Sequence, residues 1–191
     1  MPITASYTQL EFRVRNDNGN ETAATWVEAL NTDATLNVDT NYRIRFQVCQ
    51  VSGSSSSQTF NLYVSINNGA YNAIASGQAA KYSLSSNFAQ GDDTTRQLSI
   101  SETLNWVTDN NGMCESSGAV LTVTNSTYWE LEYCIQIDSA YVANGDNLKF
   151  RVYRGTTALN AYTKTPSITV AEGGSPPAFV LHSLSMTGCG I

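Results

Sequence analysis

The sequence predicts an all-β fold, an antiparallel β-sandwich (immunoglobulin-like or jelly-roll-like) with about nine to eleven strands and no long helix. Three observations carry this expectation. Apolar and polar residues alternate in Leu10-Glu11-Phe12-Arg13-Val14-Arg15, Tyr42-Arg43-Ile44-Arg45-Phe46-Gln47-Val48 and Trp129-Glu130-Leu131-Glu132-Tyr133-Cys134-Ile135-Gln136-Ile137. Period two marks a strand with one face in a core and the other in water. Turn-forming clusters such as Asn16-Asp17-Asn18-Gly19-Asn20 and Asn144-Gly145-Asp146-Asn147 separate such segments at short intervals. No stretch holds a convincing long helical period.

The elements follow in order. Residues 8–15 form the first strand and end at the Asn16–Asn20 cluster. Residues 22–30 are ambiguous: Ala23, Ala24, Val27 and Leu30 fit a helical face, while Thr25-Trp26-Val27 fits a strand. Strand is preferred because the segment is short and its neighbours are strands. Residues 34–38 and 41–51 follow, and Ser52 to Ser57 reads as a flexible connector. Phe60, Leu62, Val64 and Ile66 alternate through 58–66. Asn68-Gly69 then supplies the positive φ angles of a primed hairpin turn, returning Tyr71 to Ile74 with Asn67 opposite Ala70 and Ile66 opposite Tyr71. Residues 76–118 are loop-rich, with one strand expected between Gln97 and Val107. Strands at 119–124, 128–138, 148–153 and 166–171 complete the series. Tyr42 or Tyr133 could turn its hydroxyl back onto the backbone, as a tyrosine corner does.

Residues 1–170 therefore make one sandwich domain with a short N-terminal arm. In 171–191 the composition changes: Ala171-Glu172-Gly173-Gly174-Ser175-Pro176-Pro177 is a linker, and Ala178 to Met186 is an apolar tail. Such a tail must return to its own sandwich or lie on another subunit. Ile3 and Tyr7 of the arm, and Phe179, Val180, Leu181, Leu184 and Met186 of the tail, are accordingly the candidate interface residues.

Composition narrows the function. Charged residues are only 14% of the chain and the net charge is -6, which argues against a groove that tracks nucleic-acid phosphates. No apolar run approaches the roughly 20 residues that span a bilayer. The N-terminus lacks the basic and apolar regions of a secretory signal, so synthesis in a cytoplasm is expected. Cys49, Cys114, Cys134 and Cys189 have no metal or redox spacing. Cys49 and Cys134 fall on the polar phase of their strands, so unpaired or opportunistically paired thiols are expected, with a Cys49–Cys134 or Cys114–Cys134 bridge as the alternative.

Little in the chain suggests chemistry. The single histidine, His182, lies in the tail beyond the linker, a poor place for a precisely held base. No nucleophile, phosphate-loop or zinc motif is present. Neither enzyme activity nor a cofactor is expected. Asp17, Asn18, Asn20 and Glu21 offer clustered oxygens that could hold calcium, although a solvated turn is the plainer reading. Trp129 aligns with Leu131, Tyr133 and Ile135 and belongs to the core. Trp106, beside Asn105, is read as a core or interface residue, with stacking on a glycan as the alternative.

Three stretches carry a resemblance: Phe12 to Gly19, Asn31 to Arg45, and Val142 to Val152. They resemble segments of β-sandwich virion structural proteins from tailed bacteriophages and prophages. The similarity spans roughly residues 8–170 and includes no catalytic motif. It implies a protein of the particle surface, made in the host cytoplasm and located in the virion. The implied role is a capsid decoration or cement protein, a homo-oligomer whose partners are the major capsid protein and itself, with no nucleic acid and no membrane. A tail or fibre subunit, a carbohydrate-binding adhesive module and a secreted filament subunit remain the alternatives.

Overall fold

The structure, a computed structural model, describes residues 4–98 and 103–171. Ile3 and the tail residues Phe179, Val180, Leu181, His182, Leu184, Met186 and Cys189 lie outside the described residues. Five long strands dominate, β1 (Ser6–Asn16), β3 (Asn41–Ser52), β4 (Ser56–Ile66), β10 (Thr127–Ile137) and β11 (Asn147–Arg154), and the chain described ends in β14 (Ser167–Ala171). Shorter strands are β2 (Ala34–Asn37), β5 (Asn72–Ala73), β6 (Ala80–Tyr82), β7 (Asn105–Trp106), β8 (Met113–Cys114), β9 (Ala119–Val123), β12 (Thr157–Ala158) and β13 (Ala161–Tyr162).

They form two sheets that pack as a β-sandwich. The first runs β13-β1-β3-β10-β6, with β7 and β8 also on β10; the second runs β2-β14-β11-β4-β5, with β12 on β11 and β9 on β4. The long central pairs β1–β3, β3–β10 and β4–β11 are antiparallel, as the alternation predicts. The sheets are nevertheless mixed: β1–β13, β10–β7, β10–β8 and β14–β2 are parallel. Parallel partners cannot be joined by a hairpin; here strands distant in sequence return to the sheet edges. The fourteen strands among the described residues exceed the expected number because two- and three-residue strands are too short to show an alternation.

Each sheet turns its apolar phase to the other. Phe12, Val14, Ile44, Phe46, Val48, Trp129, Leu131 and Ile135 meet Phe60, Leu62, Val64, Phe150, Val152 and Ile168 in one buried cluster. Phe60 is the hinge of this packing, with ring centroids 5.9 Å from Tyr7 and 5.2 Å from Trp129. The Tyr133 hydroxyl donates to the Phe60 carbonyl at 3.0 Å, so the expected return of a tyrosine hydroxyl to the backbone is made by Tyr133, across the sandwich. Cys49, Cys114 and Cys134 are buried free thiols, so neither candidate bridge among them forms.

Four local expectations need correction. Residues 22–30 form turns with one isolated bridge, Arg15 to Trp26, instead of a strand. The serine connector shrinks to residues 53–55, because its ends join β3 and β4 and pair with neighbours. The hairpin turn is centred one residue earlier than predicted: Gly69 N–H donates to the Ile66 carbonyl at 2.8 Å, and Asn67 and Asn68 carry φ of 49° and 64°. Asparagine tolerates the left-handed region well enough to fill both central positions, and the strands then align Tyr63 with Ala73. Finally, Leu10 leaves the core phase. Gln9 pairs with Val48 and Glu11 with Gln47, so Leu10 is the extra residue of a β-bulge.

Candidate functional site

The outer faces of the two sheets differ. On the first sheet the polar phase was expected to be wet, and it is buried. Arg15, Arg43, Arg45, Gln47, Glu130 and Glu132 are all fully inaccessible. The register places Arg15 opposite Arg43 and Arg13 opposite Arg45, and like charges face to face destabilise a sheet. Glu132, opposite Arg45 on β10, resolves the conflict. Its carboxylate lies 3.2 Å from Arg15 Nη1, 3.1 Å from Arg43 Nη1 and 2.9 Å from Arg45 Nη1. Glu130 Oε2 adds a contact of 2.7 Å to Arg45 Nε.

Loops complete the burial. Asp17 lies 2.6 Å from Arg43, and Glu21 pairs with Arg45. Burial pushes the Asp17 carboxyl upward, but hydrogen bonds from Ser85 and Arg43 outweigh it and hold the group below its ordinary value. Asn18 and Asn20 serve the turn itself: Asn18 Oδ1 accepts the Thr25 N–H at 2.9 Å, and Asn20 Oδ1 accepts the Ala23 N–H at 2.9 Å. The calcium candidates thus turn their two carboxylates onto guanidinium groups. Trp26 stacks over Arg13 and Arg15, at 4.5 and 4.3 Å, and Phe88 over Arg43 at 4.8 Å. A second loop is pinned by Glu130, which accepts N–H groups from Gln97 at 3.0 Å and Leu98 at 2.8 Å. This face is a third structural layer, and its charges are spent on each other.

The outer face of the second sheet is partly exposed among the described residues. It carries Thr35 and Asn37 of β2, Thr169 of β14, and Val120 and Thr122 of β9, all exposed. At its centre Tyr63 of β4 and Tyr153 of β11 stack with ring centroids 3.9 Å apart, and Tyr71 lies 6.2 Å from Tyr153. Arg151 is held between Tyr71 and Tyr162, at 4.6 and 4.4 Å from the ring centroids. All five side chains are half-buried. Burial raises the Tyr71 phenol above its ordinary value, with Arg151 opposing. Large, stiff aromatic groups beside an arginine are the residue types that anchor protein interfaces.

The other predicted site residues fall elsewhere. Tyr7 belongs to β1 and is buried in the core, not in a free arm. The interface expectation fails for it because the sandwich already begins at Ser6 and uses its ring against Phe60. Trp106 sits half-buried on β7 against Tyr128, at 5.2 Å between ring centroids. The tyrosine–arginine cluster was missed by sequence reasoning, although a signal exists: Tyr63 and Tyr153 are aromatic residues on the polar phase of their strands. Among the described residues no group of three or more His, Cys, Asp and Glu is arranged to hold a metal. Comparison with protein-family models, curated proteins and solved structures finds no match for this chain.

Proposed function

We propose that this chain is a virion structural protein of the capsid decoration or cement kind, binding the major capsid protein and further copies of itself. The observation that supports this reading is the half-buried cluster of Tyr63, Tyr71, Tyr153 and Arg151 on the outer face of the second sheet. The resemblance of three segments to phage and prophage virion proteins points the same way. A rigid scaffold with one sheet face closed and the other displaying aromatic anchors suits a protein that works by contact. Symmetric repetition on a shell would add avidity without tight single contacts. The reading includes no enzymatic step, no cofactor, no nucleic-acid partner and no membrane, and it places the protein in the virion. A tail or fibre subunit would use the same face at another site on the particle.

The test is co-sedimentation with shells of the major capsid protein from the phage or prophage that carries the gene. Tyr153→Ala and Arg151→Ala are each expected to weaken shell binding by about tenfold or more. Wild-type binding by both variants, or no binding by the native chain, would sink the proposal. The half-exposed tyrosines also favour one second reading, a carbohydrate-binding adhesive module, since aromatic rings can stack on sugars. A glycan-array signal lost in Tyr71→Ala or Trp106→Ala would select it. Filaments formed by the purified chain alone would point instead to a secreted filament subunit.

A further inference from the structure

The strands of the second sheet carry no carboxylate. Together β2, β4, β5, β9, β11, β12 and β14 contain Lys149, Arg151 and Arg154 but neither Asp nor Glu. The whole chain has 16 acidic residues against 10 basic ones, so this sheet reverses the balance of the molecule. On the first sheet, arginines are matched by Glu130 and Glu132 of β10. Asp33 and Asp146, which immediately precede β2 and β11, are already engaged. Asp33 Oδ1 accepts the Ser167 N–H at 2.9 Å, and Asp146 accepts the Ala143 N–H and the Asn67 amide, each at 2.8 Å.

Arg151 is the decisive residue. The alternation of β11 turns it outward with Lys149 and Tyr153. The rings of Tyr71 and Tyr162, at 4.6 and 4.4 Å, hold its guanidinium in place without neutralising it. The ion pairs among the described residues use Arg15, Arg43, Arg45 and Lys81, so no described carboxylate answers Arg151. Of its nitrogens only Nε is both inaccessible and unpartnered, which leaves the Nη edge as the part a ligand can reach. A carboxylate takes two parallel N–H bonds from one guanidinium. Lys149, two residues along, donates to Asn68 Oδ1 at 2.7 Å and also lacks a carboxylate partner among the described residues. The stacked rings of Tyr63 and Tyr153, 3.9 Å apart, add an apolar platform beside these charges.

We propose that this face docks an acidic protein segment, with an Asp or Glu carboxylate of the partner on the Nη edge of Arg151 and an apolar neighbour of that residue on the Tyr63–Tyr153 stack. The inference rests on the reading of this face as the contact surface and names the chemistry of the segment it takes. Charge complementarity carries the choice. A net charge of -6 repels acidic segments in general, and a sheet without carboxylates is where such a segment can approach and be oriented. Arginine beside tyrosine is also the pairing that anchors protein contacts. Two outward cations, Lys149 and Arg151, are too few to track a nucleic-acid backbone.

A surface-displayed library of short random peptides serves as the probe, sorted against the full chain at low salt, where exposed charges are least screened. Peptides enriched by the wild type are expected to carry Asp and Glu at about three times the input frequency or more, and Arg151→Gln should abolish that bias. Replacing the shared Asp by Asn in the best peptide should weaken it about fivefold or more for the wild type and change nothing for Arg151→Gln. Lys149→Glu leaves Arg151 and its rings in place. It should weaken the same peptide about threefold or more, which keeps the test independent of any folding defect in Arg151→Gln. Enrichment without an acidic bias, an equal bias in Arg151→Gln, undiminished binding by Lys149→Glu, or no enrichment at all would overturn the proposal. Saturable binding of polygalacturonate in place of peptides would overturn it in favour of an acidic glycan. Loss of shell binding with the acidic bias intact counts against the virion reading alone, and shell binding without the bias counts against this inference alone.

Discussion

Glu132 is the residue on which the first sheet's charges converge. Three guanidinium groups surround it in a space with no water access. Removing one partner of a buried ion pair costs more than the pair itself contributes, because the remaining charge is stranded. Glu132→Gln is therefore expected to lower unfolding free energy by about 3 kcal/mol or more, read as a shift in the urea midpoint at constant slope. A loss below about 1 kcal/mol, the level of a surface pair, would show that the arginines find other counter-charges. Glu130 behaves differently. Burial raises its carboxyl to about 7 from an ordinary 4.5, with Arg45 and the Leu98 and Gln97 amides pulling the other way. The folded chain then holds a proton that the unfolded chain releases between these two values. That contribution is complete below about 4.5 and is lost as pH rises through about 7. Urea unfolding at pH 5 and pH 8 should show greater stability at the acid side, and Glu130→Gln should flatten the difference. An unchanged slope in that variant would assign the effect to another group. The polar phase of these strands was legible in the sequence, but its burial was not. Alternation reports which side of the sheet a residue occupies, and says nothing of a loop that comes to cover it.

The long strands were legible because each keeps its period for many residues. β3 and β10 fall within a residue or two of their expected limits. The bulge at Leu10 was not, since one extra residue leaves the apolar pattern of the sequence intact while reversing the side chain in space. The primed turn was legible from Asn68-Gly69, but three successive turn formers, Asn67, Asn68 and Gly69, allow two placements. The structure selects the one in which Asn67 and Asp146 bond at 2.8 Å. The start of β9 depends on a close approach that no pattern reveals. A Cβ at Gly118 would lie 2.3 Å from the Phe60 carbonyl oxygen and 2.2 Å from Asn61 Oδ1. Gly118→Ala is therefore expected to push β9 from β4 and destabilise the chain by about 1–3 kcal/mol, measured by thermal or urea unfolding. Wild-type stability in this variant would mean that the 116–118 loop can yield without disturbing the pairing of Ala119 with Phe60.

At the scale of the molecule, the sandwich class was legible and the mixed topology was not: the two-residue strands β7, β8 and β13 leave no periodic trace, and the alternation of β2 and β14 does not say that they pair in parallel. The candidate face was half legible. Its tyrosines stand on the polar phase, but only the structure shows that loops bury the first sheet's polar phase and that these tyrosines cluster with Arg151. The edge pairings carry a further consequence. The first strand, β1, finds its parallel edge partner in β13, and β2 finds its own in β14. Neither edge can close until the last third of the chain has been synthesised, so the earliest residues wait longest for their partners. Loop closure on that scale must be met before the contacts repay it, which is why such topologies assemble slowly and expose strand edges in the interval. A nascent chain of this protein is thus committed to a long period with its N-terminal strand half-matched, and its rate of maturation is governed by residues near the far end.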